Sequence, residues 1–343
     1  MCPTNPPSQR ASTQNDRKAT RTGVFFSLRD DPALVKRAEA LGYESVWAAE
    51  GQGKTALGKL ERWAVHTDTI QLATGIVNVF SRSPATVAQA IATLDAHSNG
   101  RAILGLGVAH PGVVEEFHGM DFDRPLPRMA EYLELVRRYL RGEANGFEGE
   151  FYQPERTAFW NAFEPVRESI PIYNGALGPA NVRLTGQYAD GWLPNLYPQS
   201  QLTEAMEWLQ TGAKRGGREI DDVDVAMYVL TAVHEDAAVA RQAAAEHVAY
   251  YLREIPGYYD RVAAEGGFKA EVNAAREAET LAAGAAQLSE EFLDRLAIVG
   301  TPESARNQLA TLRERGVDLP IVRPPAGTER AWAERTLDAF APE

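Results

Sequence analysis

A chain of 343 residues with 44% hydrophobic and 24% charged residues has the composition of a folded globular protein, and its net charge of −12 repels phosphate backbones and anionic lipid surfaces. Nucleic acid and membranes are therefore poor partners, and no stretch approaches the roughly 18 uninterrupted apolar residues that a spanning helix requires. The single cysteine, Cys2, rules out an intrachain disulfide and a cysteine metal cluster, so a reducing cytoplasm is the expected location.

Residues 1–21 are rich in Ser, Thr, Asn, Gln, Pro and Arg and carry no apolar run, which predicts a disordered tail. From Thr22 onward, short β-branched or aromatic runs alternate with longer amphipathic segments. The first strands are predicted at residues 23–27 and 45–49, with a helix between them that opens at Asp31-Pro32 and stops at Gly42. A strand at 70–77 leads to a helix opened by Ser83-Pro84, and strands follow at 102–108, 170–175, 191–195 and 223–231. Thr301-Pro302-Glu303 opens a helix stopped by Gly316, ahead of a last strand at 319–323. In each of these three helix starts, a side chain that can accept a backbone N–H precedes a proline whose missing N–H costs nothing there.

Eight strands in alternation with helices predict an α/β fold, a (β/α)8 TIM barrel forming one domain over residues 22–343. One region breaks the rhythm. Residues 233–296 are rich in Ala and Glu, are interrupted at Pro256-Gly257 and Gly266-Gly267, and predict a helical insertion before the last strand that covers one mouth of the barrel.

Barrels of this kind react at the C-terminal ends of their strands, so residues there that make poor packing material are the site candidates. Glu50 follows the second strand beside glycines, where it could hold a proton or steer a substrate, or be an ordinary solvated carboxylate. In the third strand Gly75 and Ile76 suggest a bulge or a close approach to a ligand, with a packing glycine as the alternative, and Asn78 could equally cap the next helix. The fourth strand ends in Gly107-Val108-Ala109-His110. Its Gly-x-Gly is too short for a dinucleotide fingerprint, and His110 titrates in a range suited to proton transfer, although a lone histidine is more often structural. After the fifth strand, Gly175-Ala176-Leu177-Gly178 leads into a helix start whose exposed N–H groups could hold a phosphate without any lysine; a plain tight turn is the other possibility. Asp190 is expected to serve structure and Trp192 to pack in the barrel. No spacing suits a metal site, and no Gly-x-Ser-x-Gly elbow is present, so metal and serine hydrolases are disfavoured.

Taken together, Gly42-Tyr43-Glu44-Ser45-Val46-Trp47, the run from Thr74 to Pro84, Thr93-Leu94-Asp95, Gly100 to Gly107, His118-Gly119, Phe122 to Leu126, Gly175 to Pro179 and Ala189 to Asn195 are specific as a set. In that order they resemble the luciferase-like superfamily, in particular its branch of oxidoreductases dependent on the deazaflavin coenzyme F420, and within it the methylenetetrahydromethanopterin reductases. The resemblance covers residues 23–325. It implies a barrel that holds the deazaflavin over its mouth, with a third-strand bulge behind the ring carrying a non-proline cis peptide at Gly75–Ile76. It places the cofactor at Gly75, Ile76, Asn78, Gly107, Val108, Ala109, Gly175, Ala176, Leu177 and Gly178, and makes Glu50 and His110 the candidates for proton handling. Relatives often carry an Asp-His or Glu-His pair where this chain has Glu50-Gly51, which counts against an alcohol dehydrogenase relying on that histidine. A small organic substrate and a homo-oligomer paired through outer helices are also implied. The alternatives are an FMN-dependent monooxygenase on the same barrel and a binding protein that has lost catalysis.

Overall fold

The computed structural model describes residues 21–26, 29–51, 53–155, 166–167, 169–255, 259–325 and 330–342. Short buried runs become strands and the capped amphipathic segments become the helices between them. In chain order these are β1 (Gly23–Phe25), α1 (Pro32–Ala40), β2 (Ser45–Ala48), α2 (Ala56–Ala64), β3 (Gln71–Thr74), β4 (Val77–Asn78), α3 (Pro84–His97), β5 (Ala102–Gly107), α4 (Pro125–Arg141), β6 (Ile172–Gly175), α5 (Pro179–Tyr188) and β7 (Gly191–Trp192). Then come α6 (Leu202–Arg215), β8 (Asp224–Val233), α7 (Ala237–Glu254), α8 (Tyr259–Ala264), α9 (Lys269–Glu277), α10 (Leu281–Ala285), α11 (Glu290–Leu296), β9 (Ala297–Gly300), α12 (Pro302–Glu314), β10 (Leu319–Arg323) and α13 (Arg330–Ala339). The predicted caps are in place: the side chains of Asp31, Ser83 and Thr301 accept from Ala33, Thr86 and Ser304 N–H.

Every strand pairing is parallel, and β10 pairs with both β1 and β8, which closes the sheet into a TIM barrel. Two differences from the sequence expectation concern strands. The run predicted as one strand at 70–77 is two, β3 and β4, and β9 was not anticipated; it pairs with the upper half of β8, from Leu230 to Val233. The split has a register cause. Ala73 pairs with Ile103, but Val77 pairs with Leu106, so four steps along one strand face three along the other. One extra residue on the β3–β4 side is a β-bulge.

The lumen is filled by side chains rather than open: Trp47 lies 5.6 Å from Tyr173 and 5.8 Å from Tyr228, ring to ring, with Ile321 and Leu193 in the same cluster. Close packing of this kind leaves the lower barrel no room for a ligand. The larger core lies outside the sheet, under the helices, and there Trp192 packs with its Nε1 donating to the Ala176 carbonyl at 2.9 Å. Asp190 accepts from Ile172 N–H at 2.8 Å and pairs with Arg137.

At the floor, Arg21 bridges Glu44 and Asp224 with four side-chain hydrogen bonds of 2.8–3.0 Å, and Asp224 also accepts from Tyr173 OH at 2.6 Å. Those carboxylates hold the guanidinium even more firmly protonated than usual, against the cost of its burial. The tail expected at 1–21 lies outside the described residues except for Arg21, which is anchored and belongs to the barrel.

Helices α7 to α11 occupy residues 237–296, where the insertion was predicted, and pack on Leu230, Ala232 and Val299 through Val248, Leu252 and Phe292. Gly266 and Gly267, both at positive φ, separate α8 from α9, and Pro256-Gly257 lies outside the described residues. The insertion reaches the mouth: the Tyr259 hydroxyl accepts from Asn195 Nδ2 at 2.8 Å, and Tyr251 accepts from Arg323.

Candidate active site at the barrel mouth

The bulge is where the mouth is shaped. Thr74, fully buried, bridges it: its Oγ1 accepts from Gly105 N–H at 2.7 Å and donates to the Gly105 carbonyl at 2.9 Å. A Cβ on Gly105 would lie 2.2 Å from the Thr74 carbonyl oxygen, and one on Gly75 would lie 2.9 Å from Ala49 Cα, so both glycines are required by close backbone approach. Gly75 N–H donates to the Ala48 carbonyl at 2.5 Å, and the Gly75 carbonyl accepts from Tyr228 OH at 3.3 Å. The cis peptide implied at Gly75–Ile76 is not found, since all peptide bonds among the described residues are trans. The extra residue, bridged by Thr74, produces the kink instead.

Ile76, half-buried, is turned across the mouth by this bulge. A Cβ on Gly107 would meet Ile76 Cδ1 at 3.0 Å, and one on Gly175 would meet Ile76 Cγ2 at 3.0 Å. Three of the predicted cofactor residues, from the β3–β4 bulge, β5 and β6, are thus brought into a single contact: an aliphatic platform seated on two bare glycine backbones. Beyond Gly175 the chain enters α5 at Gly178, where a Cβ would meet nothing within 4 Å. Among the described residues no protein acceptor engages the N–H groups of Ala176, Leu177 or Gly178, and they stand at the positive end of a helix.

Asn78 is not available to a ligand through its Oδ1, which accepts from Phe80 N–H at 2.9 Å and Ser81 N–H at 2.8 Å and so closes the turn before α3. Ser83, not Asn78, caps that helix. Val108 is buried, and Ala109 sits at φ +56, a left-handed conformation uncommon for alanine that redirects the chain after β5. It sets His110 at the start of a wide helical turn, Gly112–Phe117, whose first N–H groups, Val113 and Val114, donate to the His110 carbonyl at 3.1 Å. Burial lowers the His110 imidazole below its ordinary value, with Glu116 pulling the other way, so the ring is neutral at pH 7.

Glu50 is committed elsewhere than expected. Its Oε1 accepts from Arg82 Nε at 2.9 Å and Nη2 at 2.6 Å, and its Oε2 accepts from Ala56 N–H at 2.9 Å at the start of α2. With the Glu50 side chain only 13% exposed, this is a two-pronged ion pair shielded from water. Arg82 is held in turn by Tyr132, whose hydroxyl donates to the Arg82 carbonyl at 3.0 Å. Burial pushes the nearby Lys59 ammonium down, against the pull of Asp30 and Glu50.

Sequence reasoning missed Thr74, Arg82, Tyr228 and Arg323. Arg323 could have been found, because residues 319, 321 and 323 of one strand share a face and the first two are lumen residues. No group of three or more metal-ligating side chains occurs among the described residues, and no helix among them is long and apolar enough to cross a membrane.

The fold and site define a TIM-barrel protein with a bulged third strand and a glycine-lined mouth, and comparison with known proteins says which class of barrel it is. The profile of the luciferase-like monooxygenase family matches residues 2–319. An oxidoreductase of Mycobacterium tuberculosis whose name assigns it to coenzyme F420 is 32% identical over 308 residues, covering 84% of this chain and 89% of its own. The 5,10-methylenetetrahydromethanopterin reductase of Archaeoglobus fulgidus is 31% identical over 305 residues, covering 86% and 90%. Among solved structures, the coenzyme F420-dependent tetrahydromethanopterin reductase of Methanopyrus kandleri superposes with a TM-score of 0.78 at 26% identity, covering 94% of this chain and 98% of its own. The chain belongs to the luciferase-like monooxygenase family.

Proposed function

We propose that this protein is an oxidoreductase that uses coenzyme F420 to exchange a hydride with a small organic substrate; the names of the Mycobacterium tuberculosis and Methanopyrus kandleri relatives assign F420 to those proteins. The observation that carries the proposal is the seat formed by Ile76 on Gly107 and Gly175, next to three unengaged N–H groups at the start of α5. A flat ring system needs an apolar backing and a phosphate-bearing tail needs donors without a counter-charge, and the mouth supplies both side by side, because Gly175 of the platform leads directly into residues 176–178.

F420, when bound, supplies a two-electron hydride carrier. Ile76 would back the ring, Gly107 and Gly175 would let it approach the backbone, and the N–H groups of residues 176–178 would bind the anionic tail. Orientation of the substrate against that ring is the main catalytic contribution of such a site. His110, neutral at pH 7, is the group able to accept a proton at the mouth. Glu50, with both oxygens engaged, orients Arg82 and the start of α2 rather than shuttling a proton. Among substrates, a methylene-tetrahydropterin is the first to screen, on the strength of the reductases in the comparison. A homo-oligomer and a cytoplasmic location fit this reading.

The test is a pair of fluorescence titrations with F420 and with FMN. Micromolar F420 binding is expected. Micromolar FMN binding without F420 binding would instead make the protein a flavin monooxygenase of the same family, and oxidation of F420H2 by no acceptor in a broad screen would favour a binding-only role.

A further inference from the structure

Arg323, the last residue of β10, faces the lumen at its upper end and is only 4% exposed. Its guanidinium lies between two aromatic faces, 5.0 Å from the Phe25 ring centre and 5.0 Å from that of Tyr251. Nη1 donates to Asn195 Oδ1 at 2.9 Å, Nη2 donates to the Tyr251 hydroxyl, and Nε, fully buried, has no hydrogen-bond partner. Among the described residues no carboxylate forms an ion pair with it, and the titratable groups Tyr228 and His247 nearby are both kept neutral, each by burial, with the charge of Arg323 adding to the effect on His247. The cation is therefore enclosed by neutral groups: two aromatic rings, an amide and a phenol.

A buried charge without a counter-ion is expensive, and proteins keep one where a ligand completes it. Its position fits that use. Phe25 touches Tyr228 with ring centres 4.9 Å apart, and Tyr228 OH donates to the Gly75 carbonyl of the bulge, so Arg323 stands two rings away from the Ile76 platform. Both partners of its terminal nitrogens come from elements at the mouth, Asn195 just past β7 and Tyr251 on the insertion helix α7. Asn195 in turn binds Tyr259 of α8, so the insertion closes over this guanidinium.

We infer that Arg323 is an anchor for an anionic group, a carboxylate or phosphate, of a ligand bound in the barrel mouth. The inference rests on the mouth being the ligand site of the proposed function, and it narrows the substrate to a compound carrying such an anion. On approach, the anion takes the free Nε–H and displaces the neutral Tyr251 hydroxyl from Nη2, since a bidentate charge-assisted pair is stronger than a neutral one. The same anion chemistry could belong to the cofactor, and the experiment separates the two sources.

The full chain is titrated with acetate and with inorganic phosphate at constant ionic strength, and intrinsic fluorescence and the thermal midpoint are followed. Saturable binding is expected, at least tenfold weaker in Arg323→Gln. Tyr251→Phe, which removes a hydrogen-bond partner but leaves the guanidinium, should bind as well as the wild type or better. Should Arg323→Gln not fold, Arg323→Lys serves, with at least threefold weakening expected because a point charge replaces the fork. A non-saturating response, binding indifferent to both Arg323 substitutions, or loss of binding in Tyr251→Phe would overturn the inference and leave Arg323 a latch for the insertion. Repeating the titration with F420 at saturation assigns the source: simultaneous binding gives the anion to the substrate, and competition gives it to the cofactor. Failure of F420 to bind at all would count against the proposed function while the anion titration still decides the role of Arg323.

Discussion

Adding one methyl group at each of two glycines on β5 should separate the stability of the bulge from its use. In Gly105→Ala the new Cβ would sit 2.2 Å from the Thr74 carbonyl oxygen and 2.9 Å from that of Gly75, with Leu193 Cδ2 at 3.3 Å. A carbon–oxygen contact needs about 3.2 Å, so backbone rather than a side chain must retreat by about 1 Å, and both Thr74–Gly105 hydrogen bonds are strained. Overpacking of a fixed core costs about 1–3 kcal/mol, and the loss of the hydrogen bonds places this variant at the upper end, about 3 kcal/mol. In Gly107→Ala the three atoms nearest the new Cβ all belong to the Ile76 side chain, at 3.0–3.3 Å, and Ile76 is half-buried and able to give. That substitution should cost less than about 1.5 kcal/mol in stability while it displaces the platform proposed to back the ring. Urea unfolding followed by tryptophan fluorescence gives the first quantity and F420 titration the second. Gly105→Ala should lower the unfolding midpoint strongly; Gly107→Ala should leave it nearly unchanged and weaken F420 by about tenfold, equivalent to about 1.4 kcal/mol. Wild-type stability in Gly105→Ala would refute the described bulge, and wild-type F420 affinity in Gly107→Ala would refute the platform.

The Glu50–Arg82 pair should show a coupling of about 1–3 kcal/mol in a double-mutant cycle of Glu50→Gln and Arg82→Gln measured by urea unfolding; additivity would mean that the two-pronged contact contributes nothing. Ala109→Gly should stabilise the protein by about 0.5–1 kcal/mol, because glycine adopts φ +56 without a Cβ penalty, and a destabilised variant would contradict that backbone. His247, buried and neutral when folded, takes up a proton near pH 6.5 once unfolded, so its contribution is intact above that pH and lost as the pH falls below it. Unfolding free energy measured between pH 7 and 5 should therefore lose up to about 1.4 kcal/mol per pH unit more in the wild type than in His247→Leu; parallel profiles would be inconsistent with a buried neutral imidazole. If His110 accepts a proton during turnover, the activity of His110→Gln should lose the acidic limb of its pH profile, and an unchanged limb would remove His110 from the mechanism.

The barrel was legible because its punctuation is chemical. Asp31-Pro32, Ser83-Pro84 and Thr301-Pro302 mark helix starts by capping, and Gly42 and Gly316 mark stops by positive φ. The strand β9 was not legible, because Ala297 follows Leu296 of α11 with no turn residue between them, and an apolar tetrapeptide there reads as the end of a helix. The bulge could be suspected at Gly75, but that it holds one extra residue is a property of the pairing with β5, which lies some thirty residues away and leaves no local signal. For the same reason the ion pair that occupies Glu50 was hidden: Arg82 is 32 positions distant, and only the fold brings its fork to that carboxylate. Gly175 to Gly178 were singled out as a glycine-flanked turn after a strand, yet the approach of Gly175 to Ile76 joins two distant segments and no spacing expresses it.

A structure determined with F420 bound tests the central claim most directly. The account predicts the deazaflavin ring lying against Ile76, over Gly107 and Gly175, with an anionic tail oxygen within hydrogen-bond distance of the N–H groups of residues 176–178. A ring bound elsewhere on the barrel, or a tail that ignores the start of α5, would contradict it.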